Sequence, residues 1–135
     1  YKVYYAVRAA VEQMDDPAKL ALAVSMDAMA WQTDEDGLLT VVKPTRPLYT
    51  TVTKRLRQAN TVMGWSDTTR SPWCTYVTES GQHIFLWYED ARSISQKLSC
   101  AKLLGATSVS VWRLGMIPTC TDEGLHYDVM SVLMK

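Results

Sequence analysis

Eight residues, Trp87-Tyr88-Glu89-Asp90-Ala91-Arg92-Ser93-Ile94, join the end of an aromatic-rich strand to the start of an acid-capped helix. Asp90 is the expected N-cap, Ile94, Leu98, Ala101 and Leu104 form the inward stripe, and Gly105 stands where a helix commonly turns left-handed to stop. The helix then feeds a short strand, Thr107 to Trp112, within Val109-Ser110-Val111-Trp112-Arg113-Leu114-Gly115. Upstream, Leu20 to Asp27 is an almost unbroken run of small and aliphatic residues, which suits a parallel strand covered on both faces. Two such strands, the second reached through a helix, restrict the chain to α/β architecture.

The rest of the chain fits around that frame. Val3, Val7, Ala10, Val11 and Met14 recur at helical spacing, and Asp15-Asp16-Pro17 closes that helix. Trp31 is followed by the polar turn Thr33-Asp34-Glu35-Asp36-Gly37, an apolar run Leu38 to Val42, and a loop marked by Pro44 and Pro47. A helix is expected to start near Thr50 or Thr51 as cap, burying Val52, Leu56 and Ala59. Val62 to Ser66, Trp73 to Thr78 and His83 to Tyr88 follow as extended runs, with Glu79-Ser80-Gly81-Gln82 as a hairpin turn. A last short helix carries Leu125, Val129, Val132 and Leu133. The reading is therefore α/β with an α+β insertion: residues 1–31 give a helix and strand, 32–89 the insertion, and 90–135 a helix, a strand and a terminal helix.

At 135 residues the chain is the size of one domain. Folding can remove roughly two-thirds of its unfolded surface from water, enough for a real core. Fourteen basic residues balance fourteen acidic ones, so net charge supplies no attraction to nucleic acid or an anionic membrane. No apolar run reaches the ~18 residues a membrane-spanning helix requires. Cys74, Cys100 and Cys120 are odd in number and share no metal-ligand spacing with His83 or His126, so neither a disulfide framework nor a metal site is expected. No cofactor motif is present. The chain opens at Tyr1, without Met or a signal peptide, and reads as an excised segment of a longer protein.

The Trp87–Ile94 block followed by the Trp112-Arg113-Leu114-Gly115 strand end resembles the last βα units of the family 18 glycoside hydrolases. The likeness is to their spore-cortex and cell-wall-lytic branch, where W-[YF]-E-D-A-R-S-I and G-x-x-x-W-x-L-G occur in this order. In that family a strand of the type K-[IL]-x-[IL]-G-[IV]-P-x-Y-G precedes an insertion domain, and Lys19 to Ala28 takes its place here. The resemblance implies the C-terminal portion of a (β/α)8 barrel, strands seven and eight, carrying a chitinase-type insertion domain. It also implies a polysaccharide or oligosaccharide rich in N-acetylglucosamine, peptidoglycan or chitin, as ligand, and a secreted or cell-envelope setting. Two departures stand out. Ala23, Ser25, Asp27 and Ala28 occupy the family's Gly, Pro, Tyr and Gly positions, and the D-x-x-D-x-D-x-E signature is absent from these residues. In the family the terminal Glu of that signature protonates the glycosidic oxygen while the substrate's N-acetyl group attacks. No catalytic residue is therefore assigned within the chain.

Three residues are candidates for touching a sugar. Parity along the last strand groups Ser108, Ser110 and Trp112 against Val109 and Val111, which turns Trp112 inward at the strand's C-terminal end. The resemblance makes such a Trp the floor under the sugar; simple core filling is the other reading. Asp27, of the same parity as Ala21, Ala23 and Ser25, can accept hydrogen bonds from hydroxyls, or it can cap a loop or pair with Arg113. Trp31 either walls the cleft or fills the insertion. Trp65, Trp73, Phe85, Trp87 and Tyr88 read as cross-strand packing or as an extension of a glycan groove. Glu89 and Asp90 point to opposite sides of an extended segment and are structural rather than a catalytic pair. A part-barrel leaves two strand edges open, so the chain is expected to meet the missing N-terminal barrel portion or to self-associate. The alternative function is a non-catalytic glycan-binding or structural module built on the same scaffold.

Overall fold

In the computed structural model, which describes residues 2–135, the chain runs α1 (Lys2–Val11), β1 (Ala21–Ser25), β2 (Met29–Thr33), α2 (Tyr49–Leu56), β3 (Val62–Ser66), β4 (Ser71–Val77), β5 (His83–Trp87), α3 (Ala91–Leu103), β6 (Ser108–Trp112) and α4 (Val129–Leu133). The strands form two sheets, a parallel pair β1-β6 and an antiparallel sheet in the order β2-β5-β4-β3. The parallel pair runs from Ala21 opposite Ser108 to Ser25 opposite Trp112. Parallel neighbours need a crossover, and α3 supplies it, with the whole antiparallel sheet inserted between the end of β1 and the start of α3. Met29–Thr33, which straddles the 31/32 division, is one continuous strand of that inserted sheet.

The ends of α3 are fixed by local chemistry. Asp90 accepts from the backbone N–H groups of Arg92 and Ser93, both at 2.9 Å, while the Asp90 N–H donates to Ser93 Oγ at 2.9 Å. That reciprocal box satisfies donors the helix cannot satisfy itself. At the other end Gly105 takes φ +89°, and the N–H groups of Gly105 and Ala106 return to the carbonyls of Lys102 and Ala101. Only a residue without Cβ takes that conformation cheaply, and a Cβ would also press on Pro17 at 3.1 Å.

Two apolar clusters follow from the two sheets. Leu22, Val24 and Val111 meet Ile94 and Leu98 of α3, Met116, Ile117 and Val129 behind the parallel pair. The inner face of the antiparallel sheet (Ala30, Ile84, Leu86, Cys74, Tyr76) closes on Val52 and Leu56 of α2 and on Tyr88, Leu125 and Tyr127. Among the described residues no helix is long and apolar enough to cross a membrane.

Several expectations need correction. β1 is covered on one face only: Ala21, Ala23 and Ser25 are exposed, because among the described residues only β6 joins β1 and no layer lies against that side. α2 starts at Tyr49 behind Leu48, which makes no side-chain cap, so neither Thr50 nor Thr51 is the cap. The helix also stops at Leu56, which leaves Ala59 exposed. Leu125 sits in a separate 3-10 turn ahead of α4. Cys100 is half-buried on α3.

Cys74, by contrast, is fully buried, and burial pushes its thiol up to about 12. The thiolate is the reactive species, so near pH 8 this cysteine is chemically silent in the folded protein. Iodoacetamide labelling followed by peptide mass spectrometry should modify Cys120 and Cys100 first. Cys74 should be modified only as fast as the protein unfolds, and rapid native labelling would contradict its placement.

Candidate functional site

The parallel pair brings two strand ends together. The Met26 N–H donates to the Trp112 carbonyl at 2.7 Å, which ties the chain leaving β1 to the last residue of β6. Ser25 is the register partner of Trp112, so their side chains share the face that also carries Ala21, Ala23, Ser108 and Ser110. Those neighbours are small, and among the described residues nothing covers them. The Trp112 side chain therefore stands 63% exposed on an otherwise flat floor. The peptide bond from Trp112 to Arg113 is cis.

Beyond Ser25 the chain bends into the inserted sheet, and the bend encloses a cleft of about 430 Å³. Ser25, Asp27 and Met29 form one side, Trp87, Tyr88 and Glu89 the other, and Arg46 the rim. The Asp27 N–H donates to Ser25 Oγ at 3.2 Å, and its carboxylate, 19% exposed, lies 3.5 Å from the Arg46 guanidinium. The structure thus pairs Asp27 with Arg46 and not with Arg113. Arg46 was missed in the sequence because it is an isolated cation between Pro44 and Pro47, with no spacing to a partner. The contact is made only when the loop after β2 folds back to pair Thr45 with Ala30.

Glu89 faces the cleft but is already held. Its carboxylate accepts from Lys97 Nζ and, at 2.6 Å, from Ser93 Oγ. Asp90 points the other way, fully buried, and binds Arg92 through Nε at 2.9 Å and Nη2 at 2.7 Å in addition to capping α3. Arg92 in turn lies over the Trp65 ring at 4.9 Å. Tyr88 packs edge-on against Tyr127, and burial raises both phenols. The two carboxylates of the cleft each have a cation partner, so the arrangement is one for holding a polar ligand. Asp27, Arg46 and Ser25 offer hydrogen-bonding groups in the cleft, and the exposed Trp112 indole stands on β6 opposite Ser25, outside the cleft's lining.

Of the three residues singled out in the sequence, Asp27 lines the cleft, and Trp112 ends β6 opposite Ser25, two residues before Asp27, without lining it. Trp31 does not join them. It lies half-buried in the middle of β2 opposite Phe85, on the face of the antiparallel sheet turned away from the cluster around Leu86. Trp73, Phe85 and Trp87 share that face, and none of the four rings belongs to either buried cluster.

Comparison with known proteins identifies the scaffold. The family model described as "Glycosyl hydrolases family 18" matches residues 1–116. The cortical fragment-lytic enzyme of Bacillus subtilis is 32% identical over 59 residues, which is 44% of this chain and 14% of that enzyme. Among solved structures, the spore cortex-lytic enzyme SleL of Bacillus cereus superposes with a TM-score of 0.77 at 22% identity, over 98% of this chain and 29% of SleL. An N-acetylglucosaminidase of family 18 from Paenibacillus barengoltzii gives 0.70 at 18% identity, over 98% of this chain and 38% of its own. The likeness to these structures is one of fold. The chain spans well under half the length of the proteins it matches.

Proposed function

The chain belongs to family 18 of the glycosyl hydrolases, and from that premise we propose that it supplies the floor and one wall of a groove for an N-acetylglucosamine-containing polysaccharide, peptidoglycan or chitin. In this reading β1 and β6 are the seventh and eighth strands of a (β/α)8 barrel, and the antiparallel sheet is the insertion domain between them. The free edges of β1 and β6 take up further strands of the same barrel or of a partner chain. Active sites of such barrels lie at the C-terminal strand ends, and Trp112 is the last residue of β6 while Asp27 follows the end of β1 by two residues.

One observation carries the reading: an exposed indole at the end of a parallel strand, surrounded by the small residues Ala21, Ala23, Ser25, Ser108 and Ser110. The weakly polar C–H face of a pyranose lies on such a ring, while its hydroxyls reach Asp27, Ser25 and Arg46. Calorimetric titration with N-acetylglucosamine oligomers should show saturable binding. Replacing Trp112 by alanine should weaken it by about tenfold or more, the loss expected when an aromatic contact worth 1–1.5 kcal/mol is removed. Unchanged affinity in that variant would remove the indole from the site.

A non-catalytic binding module on the same scaffold is favoured by the substitutions at Ala23, Ser25, Asp27 and Ala28 and by the cation partners of Asp27 and Glu89. A D-x-x-D-x-D-x-E signature with its terminal Glu in the full-length protein would select the hydrolase, and loss of that Glu the binding module.

A further inference from the structure

Resting on the glycan reading of the cleft, we infer that Arg46 reads a carboxylate carried by the sugar, so that the cleft favours an acidic muramyl unit over the neutral N-acetylglucosamine repeat. Asp27, Glu89 and Arg46 are the charged residues of the lining. Glu89 already accepts from Ser93 Oγ and from Lys97, both on α3. Asp27 meets Arg46 through one guanidinium nitrogen, Nη1, at 3.5 Å. Among the described residues, Nε and Nη2 of Arg46 find no acceptor, and the side chain is 65% exposed at the rim. Those two nitrogens form one edge of the guanidinium, and their parallel N–H groups match the two oxygens of a carboxylate.

Neutralising Asp27 does not account for the way Arg46 is held. A pair at 3.5 Å with one partner well exposed contributes little to stability. Yet the loop that carries the arginine is fixed on both sides. Pro44 and Pro47 restrict its backbone, and Thr45 exchanges both main-chain hydrogen bonds with Ala30 of β2, each at 2.9 Å. These restraints place a guanidinium at the rim without using its donors. Carboxylate recognition gains most from a cation arranged in that way, since little freedom is left to lose on binding.

The rest of the lining suits the sugar that would bear the acid. Ser25, Thr69 and Ser71 supply hydroxyls, and Met29 and Trp87 supply apolar area. A muramyl unit is N-acetylglucosamine with a lactyl ether on one ring oxygen; it carries a carboxylate there, or a peptide with carboxylates of its own. Either source presents the same planar anion. Chitin offers the open edge of Arg46 only neutral acceptors, which make weaker bonds. A polyphosphate or a nucleic acid would need several cations, and the lining has one in a chain of zero formal net charge.

The test is calorimetry on the protein with four tetrasaccharides, in the cold and before turnover is measurable. One is the N-acetylglucosamine tetramer. The other three alternate N-acetylglucosamine with N-acetylmuramic acid, the lactyl groups being free acids, methyl amides, or amides of an alanyl-glutamate dipeptide. The free acid, the dipeptide or both should bind about tenfold more tightly than the tetramer and the methyl amide. Whichever does so identifies the source of the carboxylate. The advantage should shrink as salt is raised. Arg46→Gln keeps a donor and loses the charge; it should lower affinity for the favoured acid about tenfold and for the tetramer by less than about threefold. Arg46→Lys, which keeps the charge and loses the fork, should fall between wild type and Arg46→Gln for the acid. Acids bound no better than the methyl amide, or equal losses of acid and tetramer in Arg46→Gln, overturn the inference while the cleft reading stands. An advantage indifferent to salt does the same. Failure of all four ligands to bind the wild type fails the cleft reading and this one with it.

Discussion

Replacing Asp90 by alanine should destabilise the folded protein by about 3 kcal/mol, for reasons that add up at one carboxylate. The substitution removes the cap of α3, a loss of about 1 kcal/mol for a typical Asp cap. That loss is the stranding of the Arg92 and Ser93 N–H groups, and because the Ser93 N–H is buried it rises towards the top of the roughly 1–3 kcal/mol that an unmet donor costs. The bidentate bond to Arg92 goes as well, though that guanidinium is 42% exposed and can be hydrated, so its share is the smallest. The expected fall in Tm is about 10 °C for a chain of this size. Asp90→Asn separates the contributions, since it retains an N-cap oxygen and forfeits the charged pair; about 1 kcal/mol is expected. Urea unfolding with an unchanged m-value is the measurement, and an alanine variant within 0.5 kcal/mol of wild type would show that the cap does not hold α3.

The consequence reaches the cleft, because Glu89 and Asp90 leave the same segment on opposite sides. Asp90 anchors the helix start, and Ala91 N–H to the His126 carbonyl at 2.8 Å fastens the C-terminal loop to the same point. Glu89 is then presented to the cleft with Ser93 and Lys97 behind it. Loss of the cap should loosen the wall of the groove before the floor, since Trp112 is held by β6 and the Met26 hydrogen bond.

What could be read from the sequence follows the range of the interactions involved. α3 was legible from end to end because its cap, its stripe and its Gly105 stop act within a few residues. The side-by-side placement of β1 and β6 was legible because parity and an intervening helix leave few arrangements. The start of α2 was not: two threonines invited a cap, but packing of Tyr49 and Val52 against the sheet begins the helix one residue ahead of Thr50. Arg46 meets Asp27 only through a loop that folds back on β2, and no local pattern announces such a contact. Trp31 shows a subtler limit. Alternation predicts which residues share a face of a strand, but which face meets the core depends on where α2 and the C-terminal loop settle.

That last point makes Leu86 the most sensitive position of the inserted sheet. It sits in β5, between Ala30 of β2 and Cys74 of β4, and it is fully buried against Val52 and Tyr88. Leu86→Ala removes three carbons from a site closed by strands on both sides, where the surroundings cannot collapse into the space. A loss of about 3–5 kcal/mol is expected, the upper part of the range for such truncations. Phe85, one residue earlier, points to the other face, and Phe85→Leu there should cost less than about 1.5 kcal/mol because the ring belongs to no buried cluster. A one-residue shift in pairing would exchange these two outcomes, since it would turn every side chain of β5 over. Chemical denaturation of the two variants therefore measures the register of the sheet directly. A Phe85 variant less stable than the Leu86 variant would mean that Trp31, Trp73, Phe85 and Trp87 face the core, which would reverse the assignment of the two faces.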